Sequence, residues 1–362
     1  MGLAELPLHG GRAPRWLFRR MVRLARPIVT LVVEEYGTAE LLRRLADPFW
    51  FQALSLVLGY DWHSSGTTTV TTAVLREVLA DGELGVMVAG GKGRASRRAP
   101  EEIRVGGELL GLSDSKIEEL IRSSRLSAKV DNAALQDGFS LYHHAIFFDS
   151  SGRWTVVQQG MMPERRLARR YHWYGPSVGS FVREPHFGIA SDAPPGRALN
   201  MVALESEGAR RASVDAAREG PRILSSAPRE QRLLSEYFGE RVLRMPWKVN
   251  WDALRRLYEF QPRNYEELLG IRGVGPATVR ALAYIAEVVY GEEPSWRDPV
   301  KFSFALGGKD GVPRPINLKT YEETITFMEE LVSDALGKEV KEKFRNLFKR
   351  INIYYTIKNN SF

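Results

Sequence analysis

The side chains with the most chemistry to offer are gathered between Lys129 and Tyr174. Asp131, Asp137 and Asp149 flank His143 and His144, and Gln158 and Gln159 follow. Carboxylates with one imidazole make an oxygen-rich donor set for a divalent cation, Mg2+ or Mn2+. Such a cation activates water and steadies a phosphate, the chemistry of phosphodiester hydrolysis. The candidate catalytic residues are therefore Asp131, Asp137, His143, Asp149 and Gln159, with Asp131, Asp149 and His143 as the metal ligands. The competing reading is that Asp149 makes a turn and the histidines satisfy ordinary hydrogen bonds. Four of the six histidines lie between His143 and His186, and none lies beyond, so imidazole chemistry belongs to the middle of the chain.

These residues need a β-hairpin to position them. Residues 139–148 (FSLYHHAIFF) and 153–159 (RWTVVQQ) are rich in strand formers and are separated by Asp149-Ser150-Ser151-Gly152. Strand alternation sends His143 and His144 to opposite faces, so at most one joins a given site. A carboxylate at one strand end with paired polar residues on the next loosely resembles restriction-type nuclease cores. Gln158-Gln159-Gly160 stand where those cores carry a second carboxylate and a lysine. Just after comes Arg165, Arg166, Arg169 and Arg170, then Tyr171-His172-Trp173-Tyr174. Charge for phosphates and rings for bases are what a nucleic-acid strand needs, so Arg169, Arg170 and Trp173 are candidate contacts.

A second organising stretch is LLGIRGVGPATVRALAYIAEVVY, residues 268–290. A short helix ends near Leu269, Gly273-Val274-Gly275 turns the chain, and Pro276 suits the first position of a new helix. Val279, Leu282, Ala283, Ala286 and Val289 give that helix an apolar face. Bare backbone at a helix start favours an anion, through its N–H groups and the helix dipole. This stretch resembles a helix–hairpin–helix, a module that grips a nucleic-acid backbone without reading sequence. The resemblance implies contacts from Gly273, Val274, Gly275, Ala277 and Thr278.

The chain as a whole also resembles the archaeal and bacterial family called domain of unknown function 763. That resemblance rests on Asp61-Trp62-His63-Ser64-Ser65-Gly66 and on stretches 129–144, 154–161 and 298–311. It implies no activity. The hairpin followed by Asp298 is also similar to the helix–hairpin–helix DNA glycosylases, which makes Asp298, Lys301 and Lys309 alternative catalytic residues for base excision. Ala277 stands where such an enzyme's lysine would be.

The expected fold is α+β, mainly α. Residues 1–190 form an N-terminal α/β domain with a β-hairpin or small sheet. Residues 191–228 form a linker with a connecting helix, and residues 229–362 an all-α helix–hairpin–helix domain. A net charge of +7 suits a polyanionic partner, DNA before RNA. With no cysteine in the chain, disulfides and thiolate metal sites are excluded. No 18-residue apolar run and no signal-peptide layout are found, so the expected location is the cytoplasm. The functional expectation is a metal-dependent nuclease; a glycosylase and a non-catalytic binding adaptor are the alternatives.

Overall fold

The computed structural model describes residues 13–60, 65–165, 167–191, 196–226, 246 and 248–300, with residues 322, 325, 326, 328 and 329. Helices α1 (Arg15–Ala46), α2 (Pro48–Val57) and α3 (Ser65–Val78) come first. Gly37, at φ +81°, kinks α1. Asp47 separates α1 from α2 and caps α2, its carboxylate accepting from Phe49 N and Trp50 N with Pro48 in the first turn.

Then follow β1 (Val86–Lys92), α4 (Ala99–Leu109), α5 (Asp114–Lys129), β2 (Leu135–Gln136), β3 (Ser140–Asp149), β4 (Trp154–Met162) and β5 (Leu167–Tyr174). Beyond them lie β6 (Gly188–Ser191), β7 (Arg197–Asn200), α6 (Glu207–Glu219) and α7 (Pro221–Ser226). The hairpin region holds α8 (Trp251–Phe260), α9 (Tyr265–Gly270), α10 (Pro276–Tyr290) and β8 (Ser295–Arg297). The fold is α+β and mainly α, as the sequence leads one to expect.

The expected hairpin is β3–β4, the centre of an antiparallel five-stranded sheet ordered β1-β3-β4-β5-β6. Both faces are covered. On one, Ala145, Phe147 and Val157 pack with α1–α3. On the other, Ile146, Phe148, Val156 and Trp173 share a core with α5, α6 and α8–α10. That single apolar core runs from the sheet into the hairpin region. The segment expected as a linker carries β7, which pairs with β2 and β8, and α6, whose Ala209, Ala212, Ala216 and Ala217 are buried in the same core. β8 also adds a strand to the part expected to be wholly helical.

Candidate functional site

The sheet sorts its polar residues into separate buried networks on its two faces. Asp131 lies in a single π turn, Val130–Ala134, that ends α5. It accepts from Trp173 Nε1 at 2.9 Å and Gln158 Nε2 at 2.5 Å, and pairs with His186 Nε2 at 2.5 Å. Because the Gln158 nitrogen is committed to Asp131, its oxygen must accept from His144 Nδ1 (2.9 Å). His144 Nε2 is then the acceptor for the Ser124 hydroxyl at 2.8 Å. Burial lowers the His144 pKa, keeping the ring neutral. Hydroxyl, imidazole and orienting group stand in the order of an activated nucleophile. Yet Ser124 is 3% exposed and Asp131 0%, so the series is closed inside the core.

His143 faces the other way. The Thr72 hydroxyl on α3 reaches Thr68 O (2.8 Å) and is hydrogen-bonded with His143 Nε2, 3.1 Å away. Among the described residues Nδ1 has no partner, and burial pushes the pKa down to about 3. Beside it, Gln159 accepts from the Thr68 hydroxyl and donates to the Tyr142 hydroxyl.

Asp149 braces its own turn at the far end of β3. It accepts from Ser151 N (2.9 Å), Arg153 N (3.0 Å), Arg153 Nε (2.8 Å) and Thr38 Oγ1 (3.0 Å). The ligand set Asp131, Asp149 and His143 is therefore not brought together: Asp131 and His143 are on opposite sides of the sheet, and Asp149 is consumed by a turn. Among the described residues no group of three or more such side chains is placed to hold a metal ion.

Asp137 belongs to a third network. It accepts from Arg169 Nη1 at 2.8 Å and Tyr171 Oη at 2.7 Å. Burial raises the Asp137 pKa against the pull of Arg169. The other end of Arg169 binds Asp298, at 2.9 Å and 3.1 Å, and Asp298 also accepts from Gly196 N (3.0 Å) and Val300 N (3.2 Å). Asp298 is thus an interior brace with both oxygens engaged. Lys301, Lys309, Arg166 and residues 61–64 lie outside the described residues.

The basic and aromatic run is corrected in the same way. Arg169, Arg170 and Trp173 are 2%, 4% and 0% exposed. Arg170 donates to His172 Nε2 (2.8 Å) and Gln52 Oε1 (3.2 Å), over the Phe51 ring. These side chains read as a surface strip only because β5 is covered on both faces by elements distant in sequence.

The hairpin differs. Asn264 caps α9 by accepting from Glu267 N at 2.9 Å, and Asn250 caps α8 by accepting from Ala253 N at 3.1 Å. The residue before α10 is Gly275, which has no side chain to cap with. Pro276 has no N–H, and Val279 N reaches Gly275 O at 3.0 Å. That leaves the N–H groups of Ala277 and Thr278 without an acceptor among the described residues. Gly275 and Ala277 are half-buried and Gly273 and Pro276 exposed, so the helix start opens to solvent. Val274 and Thr278 point inward, both 1% exposed, and their side chains are not surface contacts.

The turn's carbonyls are tied down from several sides. Asn250 Nδ2 donates to Gly273 O (3.2 Å) and Arg256 Nε to Arg272 O (3.0 Å). Lys129 donates to Val274 O, and Gln136 Nε2 to Pro276 O at 2.9 Å. Arg280 Nε completes the ring at Gln136 Oε1, 3.0 Å away. Burial lowers the pKa of both Lys129 and Arg280. Among the described residues each has only neutral oxygen partners, so the positive charge is desolvated without a counter-charge. Sequence reasoning missed Asn250, Arg256, Gln136 and Arg280; an asparagine directly before the amphipathic run of α8 is the one local signal that pointed to any of them.

A family model described as "Protein of unknown function (DUF763)" matches residues 2–316. No curated protein and no solved structure matches the chain. The match covers the sheet, its buried networks and the hairpin alike, and the chain belongs to this family of unknown function, DUF763.

Proposed function

We propose that this protein binds nucleic acid by its backbone, without reading sequence, and that the uncapped start of α10 is the phosphate contact. The observation that carries this reading is the pairing of the open N–H groups of Ala277 and Thr278 with the desolvated cations Lys129 and Arg280, which have no carboxylate partner among the described residues. A helix start with spare N–H groups and nearby uncompensated charge is suited to a phosphate. Exposed Arg256 and Arg272 add charge on the outer side of the turn. DNA is the partner to test first. Metal-assisted cleavage at Asp131, Asp149 and His143 is not part of the proposal, because those side chains are separated and engaged. Base excision through Asp298 is set aside on the same ground.

Gly275 provides a clean test. Its φ is −144° and a Cβ there would meet nothing within 4 Å. Gly275→Val therefore fills the mouth without straining the turn. With Lys129→Gln alongside, binding to labelled oligonucleotides, read by fluorescence anisotropy, is expected to weaken about tenfold for each. The loss should be the same for every sequence, since phosphate contacts carry no sequence information. Unchanged affinity, or a loss confined to certain sequences, rejects the reading.

A further inference from the structure

We infer that the nucleic-acid surface does not end at the hairpin but continues onto α5 of the sheet domain, along Arg122, Arg125 and Lys129. This rests on the hairpin reading and extends it to a second element. The three residues are spaced i, i+3 and i+7, so they form one stripe about 10 Å long. Arg122 and Arg125 are exposed and Lys129 is half-buried. The stripe lies beside the hairpin along its length. At one end Arg122 Nη2 donates to Glu266 on α9 at 2.8 Å, and at the other Lys129 reaches Val274 O in the turn.

Two features separate this row from an ordinary solvated helix face. Arg125 and Lys129 have no carboxylate partner among the described residues, whereas Lys116 and Glu119, one to two turns earlier, pair at 2.8 Å. Like charges at i, i+3 and i, i+4 repel by a few tenths of a kcal/mol per pair. The helix dipole favours Lys129 at the C-terminus but does not reach Arg122, since its effect falls off within the last turn. With Arg122 held by Glu266, the neighbouring Arg125 and Lys129 repel each other, and a row of this kind leading to open amides is completed by a polyanion with regularly spaced charges. Nucleic acid fits that better than an acidic peptide, because the mouth it leads to offers backbone donors at a helix start.

The test is the salt dependence of binding for wild type, Arg125→Glu and Arg125→Gln, on a duplex and a single strand. Each lost phosphate contact lowers the slope of log Kobs against log salt by about 0.9 on duplex, or about 0.7 on single strand. We expect that drop for both Arg125 variants. Poly-glutamate at equal charge should not displace the oligonucleotide. An unchanged slope, or equal displacement by poly-glutamate, overturns the inference. Gly275→Val, measured in parallel, separates the two readings. If it weakens binding while the Arg125 slope is unchanged, the hairpin contact stands without α5. If the Arg125 slope drops while Gly275→Val is silent, the α5 row stands and the hairpin contact falls.

Discussion

The interior of the sheet and the start of α10 are both rich in groups that could do chemistry, and they differ in whether those groups are already spoken for. In the sheet, Asp131 has three donors or partners, Asp298 has every oxygen engaged, and Arg169 bridges two carboxylates. Such networks hold strands and helices in register, because a buried polar group left unpaired costs about 1–3 kcal/mol. At α10 the side-chain caps that close α8 and α9 are missing, and among the described residues the adjacent cations have no carboxylate partner. The carboxylates of the first region are saturated. On the reading proposed above, an anion completes the second.

The largest effects should come from breaking a closed network. Arg169→Met leaves Asp137 and Asp298 buried without their shared cation and should cost about 3–5 kcal/mol in urea unfolding. A loss below about 1 kcal/mol would mean the sheet interior is wetter than the structure has it. Asp131→Ala strands Gln158, Trp173 and His186 and should cost about 2–4 kcal/mol. Affinity of the remaining folded fraction for oligonucleotides should not change. Reduced affinity at full folding would move function back into the sheet.

A third prediction concerns pH. His143 stays neutral in the folded protein down to about pH 3, while the unfolded imidazole takes up a proton near its ordinary value of 6.5. The unfolded state therefore binds more protons, and stability falls as pH drops from about 6.5 toward about 3, by up to about 1.4 kcal/mol per pH unit for each such histidine. His144 and His172 are lowered by burial in the same direction. His143→Asn should remove one proton from the slope between about pH 6.5 and 5, a window above most carboxylate titration. An unaltered slope there would show that His143 is solvated. The smallest effect contrasts two glycines of one turn. Gly273 sits at φ +95°, with a Cβ position 2.6 Å from the Arg256 guanidinium, so Gly273→Ala should cost about 1–2 kcal/mol. Gly275→Ala should be neutral within about 0.5 kcal/mol. Equal costs would remove the basis for using Gly275 as a probe of binding alone.

Local chemistry made part of this legible. Pro276 after a glycine turn marks the start of α10, and the run of strand formers around Asp149–Gly152 marks β3–β4, with β4 running three residues further than its strand formers. Alternation separated His143 from His144 correctly. What could not be seen was coverage. Arg169, Arg170 and Trp173 look like a binding strip in sequence, but Arg169 meets Asp137 at a separation of 32 residues and Asp298 at 129. Asp149 and Asp131 look alike as carboxylates, and only the folded chain shows one holding a turn and the other a π turn against the sheet. The uncapped helix was visible because capping is decided within four residues, whereas the saturation of a buried carboxylate is decided across the whole chain.

Backbone amide NMR on the intact protein during titration with an oligonucleotide tests the central claim most directly. If the start of α10 is the phosphate contact, the amides of Gly275, Ala277 and Thr278 shift progressively while the Trp173 indole and Gln158 side-chain signals stay in place. Movement of the interior signals with silence at the start of α10 would contradict it.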